Sequence, residues 1–375
     1  MAITINAKTS GAGGLETTAD NTGNINIQSG GSTVMSVTSS GVAVTGSFSQ
    51  NGAVYSTQPS FRNLIINGDM RIDQRATSVT SSAYTVDRWG YYGNLASKAT
   101  VAQSSTAPTG YINSLLATSS SAYSVAATDI FVLRQYIEGN NIAHLDWGTA
   151  NAKTVTLSFW VRSSLTGTFG GVLKNAVEDR CYPYSYTISS ANTWEQKSIT
   201  IAGDTTGTWG TGNGSGIQLT FGLGVGTTYS GTAGAWSGTN YLASATGATS
   251  VVGTSGATFY ITAVQLEVGE NATPFEQRMY SQELAMCQRY YYKTAGTIRY
   301  YKNSANTSAE AYPLGFPVYM RVSPSMSFGT VSTGGNTSTY SVAGASNQSV
   351  SVQITANGAA GYARLDAQLI ADSEL

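Results

Sequence analysis

A chain of 375 residues has room for two or three cores, since domains commonly hold about 100–200 residues, and a single small domain is excluded. Its 19 basic and 20 acidic residues make it only 10% charged, and a net charge of -1 without any run of Lys or Arg excludes nucleic acid as a partner. Ser and Thr number 95 and Gly 42, so hydroxyls and backbone amides wet the surface, while 41% hydrophobic content supplies cores and excludes general disorder.

No residue between Asp20 and Arg62 is charged. This gap holds short alternating pieces, Asn24 to Ile27, Val34 to Val37 and Val42 to Thr45, separated by Gly and Ser. Strands this short build no core of their own. They fit a β-rich stalk over residues 1–60 in which copies of the chain bury each other's Ile and Val; the alternative is a flexible leader with accidental alternation.

From Phe61 onward the pattern is all-β. Val155, Leu157, Phe159 and Val161 alternate with Thr156, Ser158, Trp160 and Arg162, and Ile217, Leu219, Phe221, Leu223 and Val225 alternate with Gln218, Thr220, Gly222 and Gly224. Further strands are predicted over 196–201 and 259–268, with weaker ones near Leu64, Trp89, Val101, Tyr111 and Phe131. About eight short strands with Gly, Ser and Asn turns predict a jelly-roll β-sandwich over 61–272. A helical connector over 273–292 follows. Thr273, Pro274 and Glu276 read as N-cap, first helical position and capping-box acid, with Ser281 as an alternative cap. Residues 293–375 predict a small β domain closing on a hairpin about Asn357-Gly358, in which Val350, Val352 and Ile354 pair with the row Ala363, Leu365, Ala367, Leu369.

Three stretches resemble bacteriophage tail-fibre and related virion structural proteins: Ser39 to Gly46, Phe61 to Met70, and a closing passage from Phe259 to Gly269 with Ala272 to Glu276 and Cys287 to Tyr291. Pro317 to Phe328 and the acidic Ala371 to Leu375 end are similar to that group too. The resemblance implies a homotrimeric fibre, attached through its amino-terminal segment to other tail or baseplate proteins, located in the virion tail after assembly in the host cytoplasm. The middle domain is also similar to carbohydrate-binding jelly rolls. That likeness implies a structural calcium, for which Asp69 is the candidate ligand, although Thr262 and Ala263 stand where a second acid is expected.

Catalysis finds little material. His144 is the one histidine, with Asp146 too near in sequence to orient it for a triad. Two cysteines, Cys181 and Cys287, lie outside any metal spacing and read as free thiols of a reducing compartment. Glu178 and Asp179 are sequence neighbours beside Arg180, which reads as a surface ion pair rather than the paired carboxyls of a glycosidase. No apolar run approaches the ~20 residues of a membrane span, and no basic-then-apolar leader begins the chain, so neither membrane insertion nor secretion is expected.

Glycan binding needs flat aromatic faces among neutral donors and acceptors. The 62 uncharged residues between Asp204 and Glu267 supply these as Trp209, Tyr229, Trp236 and Tyr241, the two Trp having the alternative of packing as lids over the sandwich edge. Trp160 faces away from its strand's apolar row, toward a second layer or another subunit, while Trp89 and Trp194 read as core. Tyr300, Tyr301, Tyr312 and Tyr319 form a second candidate surface or a trimer contact. Taken with the resemblance to tail-fibre proteins, these residues lead to the expectation of a non-enzymatic phage tail fibre that attaches to host surface polysaccharide by multivalent binding. A purely structural virion component (head fibre, decoration protein or tail connector) and a polysaccharide depolymerase are the alternatives.

Overall fold

The computed structural model describes the strands at 3–7, 15–19, 25–29, 32–38, 41–44, 48–50 and 53–55, together with residues 61–303 and 307–375. The chain divides into two units, Met1–Ser60 and Phe61–Leu375.

In the first unit, β1 (Ile3–Ala7), β2 (Leu15–Ala19), β3 (Ile25–Ser29), β4 (Ser32–Thr38) and β5 (Gly41–Val44) form one sheet in the order β2-β1-β3-β4-β5. Only β1 with β3 is parallel. A separate hairpin joins β6 (Phe48–Gln50) to β7 (Ala53–Tyr55). None of the side chains described in this unit is buried, and Ile25 and Val42 are exposed. The described side chains at 26–28 and 33–38 are half-buried.

The second unit opens with β8 (Ala83–Tyr84), β9 (Gly90–Gly93), β10 (Ala99–Ser104), β11 (Ser114–Ser119), β12 (Ile130–Glu138), β13 (Val155–Ser163), β14 (Gly167–Asn175), β15 (Cys181–Ile188), β16 (Glu195–Ile201), β17 (Ser215–Val225), β18 (Ser230–Gly231), β19 (Ser244–Ala245) and β20 (Thr258–Val268). A five-stranded sheet, β10-β11-β20-β13-β16, faces a six-stranded sheet, β15-β14-β17-β12-β9-β8, in an all-β jelly-roll sandwich. The alternating rows read from the sequence point inward: Leu157, Phe159, Leu219, Phe221 and Leu223 are all buried, and the Phe159 and Phe221 rings meet edge to face at 5.0 Å. Trp89 is core, with its indole N–H donated to the Asn67 carbonyl at 3.0 Å. Trp194 is not core; it sits half-buried with its ring edge against Tyr260 at 6.0 Å. Trp160 is likewise half-buried.

Two strands, β14 and β15, go unpredicted by alternation. On β14 the inward row is interrupted by Gly171 and the outward row carries Val172, which packs with Leu242, so the apolar alternation is broken.

The opening segment and the closing passage clasp each other. Asn63 donates its side-chain amide to the Val264 carbonyl at 3.1 Å, and Val264 N donates to the Gly68 carbonyl at 2.9 Å. A Cβ on Gly68 would lie 2.2 Å from that Val264 oxygen, which is why glycine stands there. Buried Arg278 reaches the carbonyls of Ile65, at 3.1 Å, and of Asn63, and pairs with Glu276 at 3.1 Å and Glu283 at 3.5 Å.

This clasp moves the helix. The expected cap Thr273 gives its hydroxyl to Glu267 at 2.6 Å, and Glu276 accepts the Asn63 amide at 2.9 Å, so both members of the predicted capping box are engaged by tertiary partners. Helix α1 begins later, at Tyr280–Gln288, and Gln282 accepts the Met279 amide at 3.3 Å.

After the helix come β21 (Tyr291–Lys293), β22 (Ile298–Asn303), β23 (Ala309–Gly315), β24 (Ser325–Gly335), β25 (Thr337–Ala345), β26 (Ser349–Ala356) and β27 (Tyr362–Asp372). The predicted hairpin at Asn357-Gly358 is overturned. β26 is flanked on both edges by β23 and β25, while β27 pairs with β21, β22 and β24 in the other sheet. With both edges of β26 taken, the two rows meet face to face across a small core, Val350, Val352 and Ile354 against Leu365 and Leu369.

Within the sandwich Asp87 is fully buried and accepts the Gln74 amide at 2.6 Å. Burial pushes its carboxyl up to about 6, against the Gln74 hydrogen bonds and the charge of Arg75. A carboxyl raised in the folded state binds its proton more tightly there than in the unfolded chain, so its ionisation costs stability as pH rises from about 4 through 6. Asp87→Asn is expected to stabilise the protein at pH 8 by up to roughly 3 kcal/mol and to flatten the stability slope between pH 4 and 6, read as urea midpoints across that range. An unchanged slope refutes this assignment.

Candidate functional site

The outward face of the six-stranded sheet carries a cleft. On β12 the inward row includes Phe131 and Leu133, so Val132, Arg134 and Tyr136 point out. Register places Tyr92 of β9 beside Val132, Arg134 beside Thr220 of β17, and Tyr136 beside Gln218, which has Lys174 of β14 on its other side. These rows form the floor of a cleft of about 250 Å³, and Tyr229, Tyr241 and Ala243 supply its wall.

Glycines seat that wall. The β19 segment lies across Gly170 and Gly222, where an added Cβ would come within 2.7 Å of the Ala245 Cβ and 2.6 Å of the Ser244 Oγ. Thr220 donates its hydroxyl to the Ala243 carbonyl at 3.0 Å, and Tyr241 N donates to the Glu178 carbonyl at 2.9 Å. Leu242 packs with Val172 and Cys181 beneath. Tyr241, with a left-handed φ of 62°, is left 54% exposed at the rim.

The chemistry of the lining is mixed. Lys174 is buried and bonded to Glu178 at 2.8 Å. The Arg134 guanidinium lies over the rings of Tyr92 at 4.7 Å and Tyr136 at 5.1 Å, and among the described residues it has neither a hydrogen bond nor a carboxylate partner. Burial pushes the Tyr136 phenol up, opposed by Arg134 and reinforced by Glu178 and Tyr92. Gln218 is only 3% exposed, yet its side-chain amide lines the cleft with no hydrogen-bond partner among the described residues. Its amide is not among the buried unpaired polar atoms, so it opens onto the cleft, where it can take a ligand or water.

The four ring candidates therefore separate. Tyr229 and Tyr241 reach the cleft. Trp209 and Trp236 do not; they pack with Trp147 at one end of the sandwich, with ring centroids 4.6 Å (Trp147 to Trp209) and 5.4 Å (Trp209 to Trp236) apart. Their indole N–H groups are donated to the carbonyls of Thr206 at 3.2 Å and Ala202 at 2.7 Å, and Trp209 is buried. Loop apolar surface at a sheet end gains more by covering the core than by facing water, and three mutually edge-on indoles do so. Sequence reasoning missed Tyr92, Arg134, Lys174 and Gln218; the outward parity of Gln218 and Thr220 was the available signal.

Among the other candidates, Glu178 pairs with Lys174, while Arg180 turns to Asp204 through two bonds of 2.7 Å and Asp179 is held by the Asn175 amide at 2.7 Å. His144 is exposed in a short 3-10 turn. Tyr300 is buried in the carboxy-terminal core against Tyr312 at 5.5 Å, because alternation on β22 sends Tyr300 inward and Tyr301 outward. Tyr301 is exposed beside Tyr362, and Tyr319 is exposed apart from them. The surroundings of Asp69 do not fit a cation: its carboxyl is buried, faces Arg71 at 3.2 Å and is pushed up by burial against that charge. No group of three His, Cys, Asp or Glu among the described residues could hold a metal ion.

No family model and no curated protein matches the sequence. Solved structures similar to part of the chain include the enzymatically active domain of tailspike protein 4 of bacteriophage CBA120, at 12% identity and TM-score 0.30 over 56% of this chain and 22% of that one. The carbohydrate-binding module TmCBM61 in complex with β-1,4-galactotriose is similar at 11% identity and TM-score 0.28, over 56% of this chain and 99% of that one. A family 11 carbohydrate-binding module from Clostridium thermocellum is similar at 10% identity and TM-score 0.27, over 49% of this chain and 89% of that one.

Proposed function

We propose that this chain is a non-catalytic glycan-binding protein of a phage virion, a homotrimeric tail fibre that holds host surface polysaccharide in the cleft between Tyr92, Gln218, Tyr229 and Tyr241. The observation that carries this reading is the Gln218 amide, without a hydrogen-bond partner among the described residues, on the floor of a cleft walled by tyrosine rings. Sugars present an apolar face to a ring and hydroxyls to an amide, and this lining offers both. Glu178 is the one carboxylate of the lining and is tied to Lys174, whereas hydrolysis asks for two carboxyls roughly 5–10 Å apart. Placement in a phage tail is supported by the resemblance of the opening and closing passages, which clasp the sandwich away from the cleft.

A host-glycan array followed by calorimetry tests the binding. Tyr241→Ala is expected to weaken a glycan hit by at least about tenfold, or ~1.4 kcal/mol, with the melting temperature nearly unchanged, since the ring is exposed. Silence of the wild-type chain on every host glycan and on whole host cells favours the purely structural virion component instead, and release of reducing ends from host capsule would reinstate the depolymerase.

Trimer assembly is supported by the amino-terminal sheet, whose Ile and Val side chains, where described, are no more than half-buried within the chain. Three shallow sites on one fibre raise attachment through effective concentration. Sedimentation is expected to give about three times 39.1 kDa, and a 39.1 kDa particle refutes the trimer.

A further inference from the structure

We infer that the cleft selects acidic glycans, with Arg134 reading a carboxylate on the sugar; this rests on the reading of the cleft as a glycan site. Three charged side chains line it. Lys174 and Glu178 cancel each other through their 2.8 Å bond, which leaves Arg134 as the uncompensated charge of the lining.

Its guanidinium is positioned without being consumed. The rings of Tyr92 and Tyr136 hold it at 4.7 and 5.1 Å by their faces, an attraction that uses none of its N–H donors. Every other arginine in the sandwich's buried networks is spent on protein oxygens: Arg180 on Asp204, Arg278 on Glu276 and Glu283, Arg88 on Glu374. Arg134 has no such partner among the described residues. A planar fork with free donors, fixed over aromatic rings, matches a carboxylate in bidentate geometry. Register puts Thr220 directly beside Arg134 and Gln218 one row further along the floor, so an anionic sugar at Arg134 places the neighbouring ring's hydroxyls within the Gln218 row. Tyr229 and Tyr241 at the wall remain for stacking.

The test uses the full chain and matched polymer pairs: polygalacturonate, alginate and hyaluronan, each with its carboxyl-reduced counterpart, plus dextran sulfate, titrated calorimetrically at 50 and 150 mM salt. At least one carboxylated polymer is expected to bind ten-fold or more tightly than its reduced form. Arg134→Gln should collapse that ratio to within about three-fold while the reduced form still binds, and Arg134→Lys, which keeps the charge and loses the fork, should fall between. Equal binding of each pair, or a ratio unmoved by Arg134→Gln, overturns acid selection and leaves the glycan site standing. Dextran sulfate binding as well as the best carboxylated polymer, with both lost at 150 mM salt, also overturns it, because simple charge attraction then suffices. Absence of binding to every polymer, neutral or acidic, in this set and on the array defeats the glycan site itself.

Discussion

Glu374→Gln is expected to lower stability by about 3–5 kcal/mol and to uncouple the carboxy-terminal β domain from the sandwich, because it leaves buried Arg88 without its counter-charge, while Arg75 keeps Asp372 at 3.6 Å. The Glu374 carboxylate is inserted between Arg75, at 2.9 Å, and Arg88. Arg88 is 1% exposed and lies over the Tyr290 ring at 3.5 Å, so neither water nor another carboxylate within the described residues replaces the lost partner. Arg321 completes the latch by donating to the carbonyls of Ser373 at 2.7 Å and Glu374 at 2.9 Å. A second contact between the parts, Arg289 on Glu138 at 2.6 Å with the Tyr290 hydroxyl on the same carboxylate at 2.6 Å, remains in the variant. Calorimetry should therefore show a second, lower transition, and limited proteolysis should release fragments from 307–375 first. A single transition at the wild-type temperature would show that Arg88 is compensated by solvent.

Trp147→Ala is expected to cost about 3–5 kcal/mol, the usual range for deleting a large buried aromatic ring, and to leave glycan affinity of the folded protein unchanged. Trp147 is 6% exposed and meets Trp209 at 4.6 Å and Trp236 at 5.4 Å, with its own indole N–H given to the Lys153 carbonyl at 2.7 Å. Trp209→Ala should behave in the same direction. The Tyr241→Ala variant described above moves the opposite pair of quantities, affinity without stability. Loss of glycan binding in Trp209→Ala with an unchanged urea midpoint would return the site to the indole cluster.

Much of the fold was readable where only one face of a strand selects apolar residues. β13 and β17 show this: Val155 to Val161 alternate with Thr156, Ser158 and Trp160, and Ile217 to Val225 with Gln218, Thr220, Gly222 and Gly224. β14 defeats that test, since its inward row is interrupted by Gly171, held against the Thr220 carbonyl and the Tyr184 ring, and its outward row carries Val172, packed with Leu242. The helix start and the final hairpin failed for a common cause. Thr273 and Glu276 have the chemistry of a cap, and Asn357-Gly358 that of a tight turn, but a Glu267 oxygen, the Asn63 amide and two occupied edges of β26 compete for those groups from far along the chain.

The cleft divides in the same way. Composition alone marks the uncharged, aromatic 205–266 segment as suited to sugars, and parity alone turns Gln218 and Thr220 outward. Neither tells which rings reach the surface. Trp209 and Tyr241 sit in similar Gly-rich loops, yet one is buried against Trp147 and the other stands at the rim, a choice made by the shape of the sandwich end and by the Gly170 and Gly222 saddle. Local sequence thus determined the strand class, the inward rows and the chemical vocabulary, since these follow from the two-residue period and side-chain type. Tertiary structure decided which of those side chains are consumed in packing and which converge, because Tyr92, Arg134, Gln218 and Tyr241 become neighbours only when four separate segments are brought onto one face.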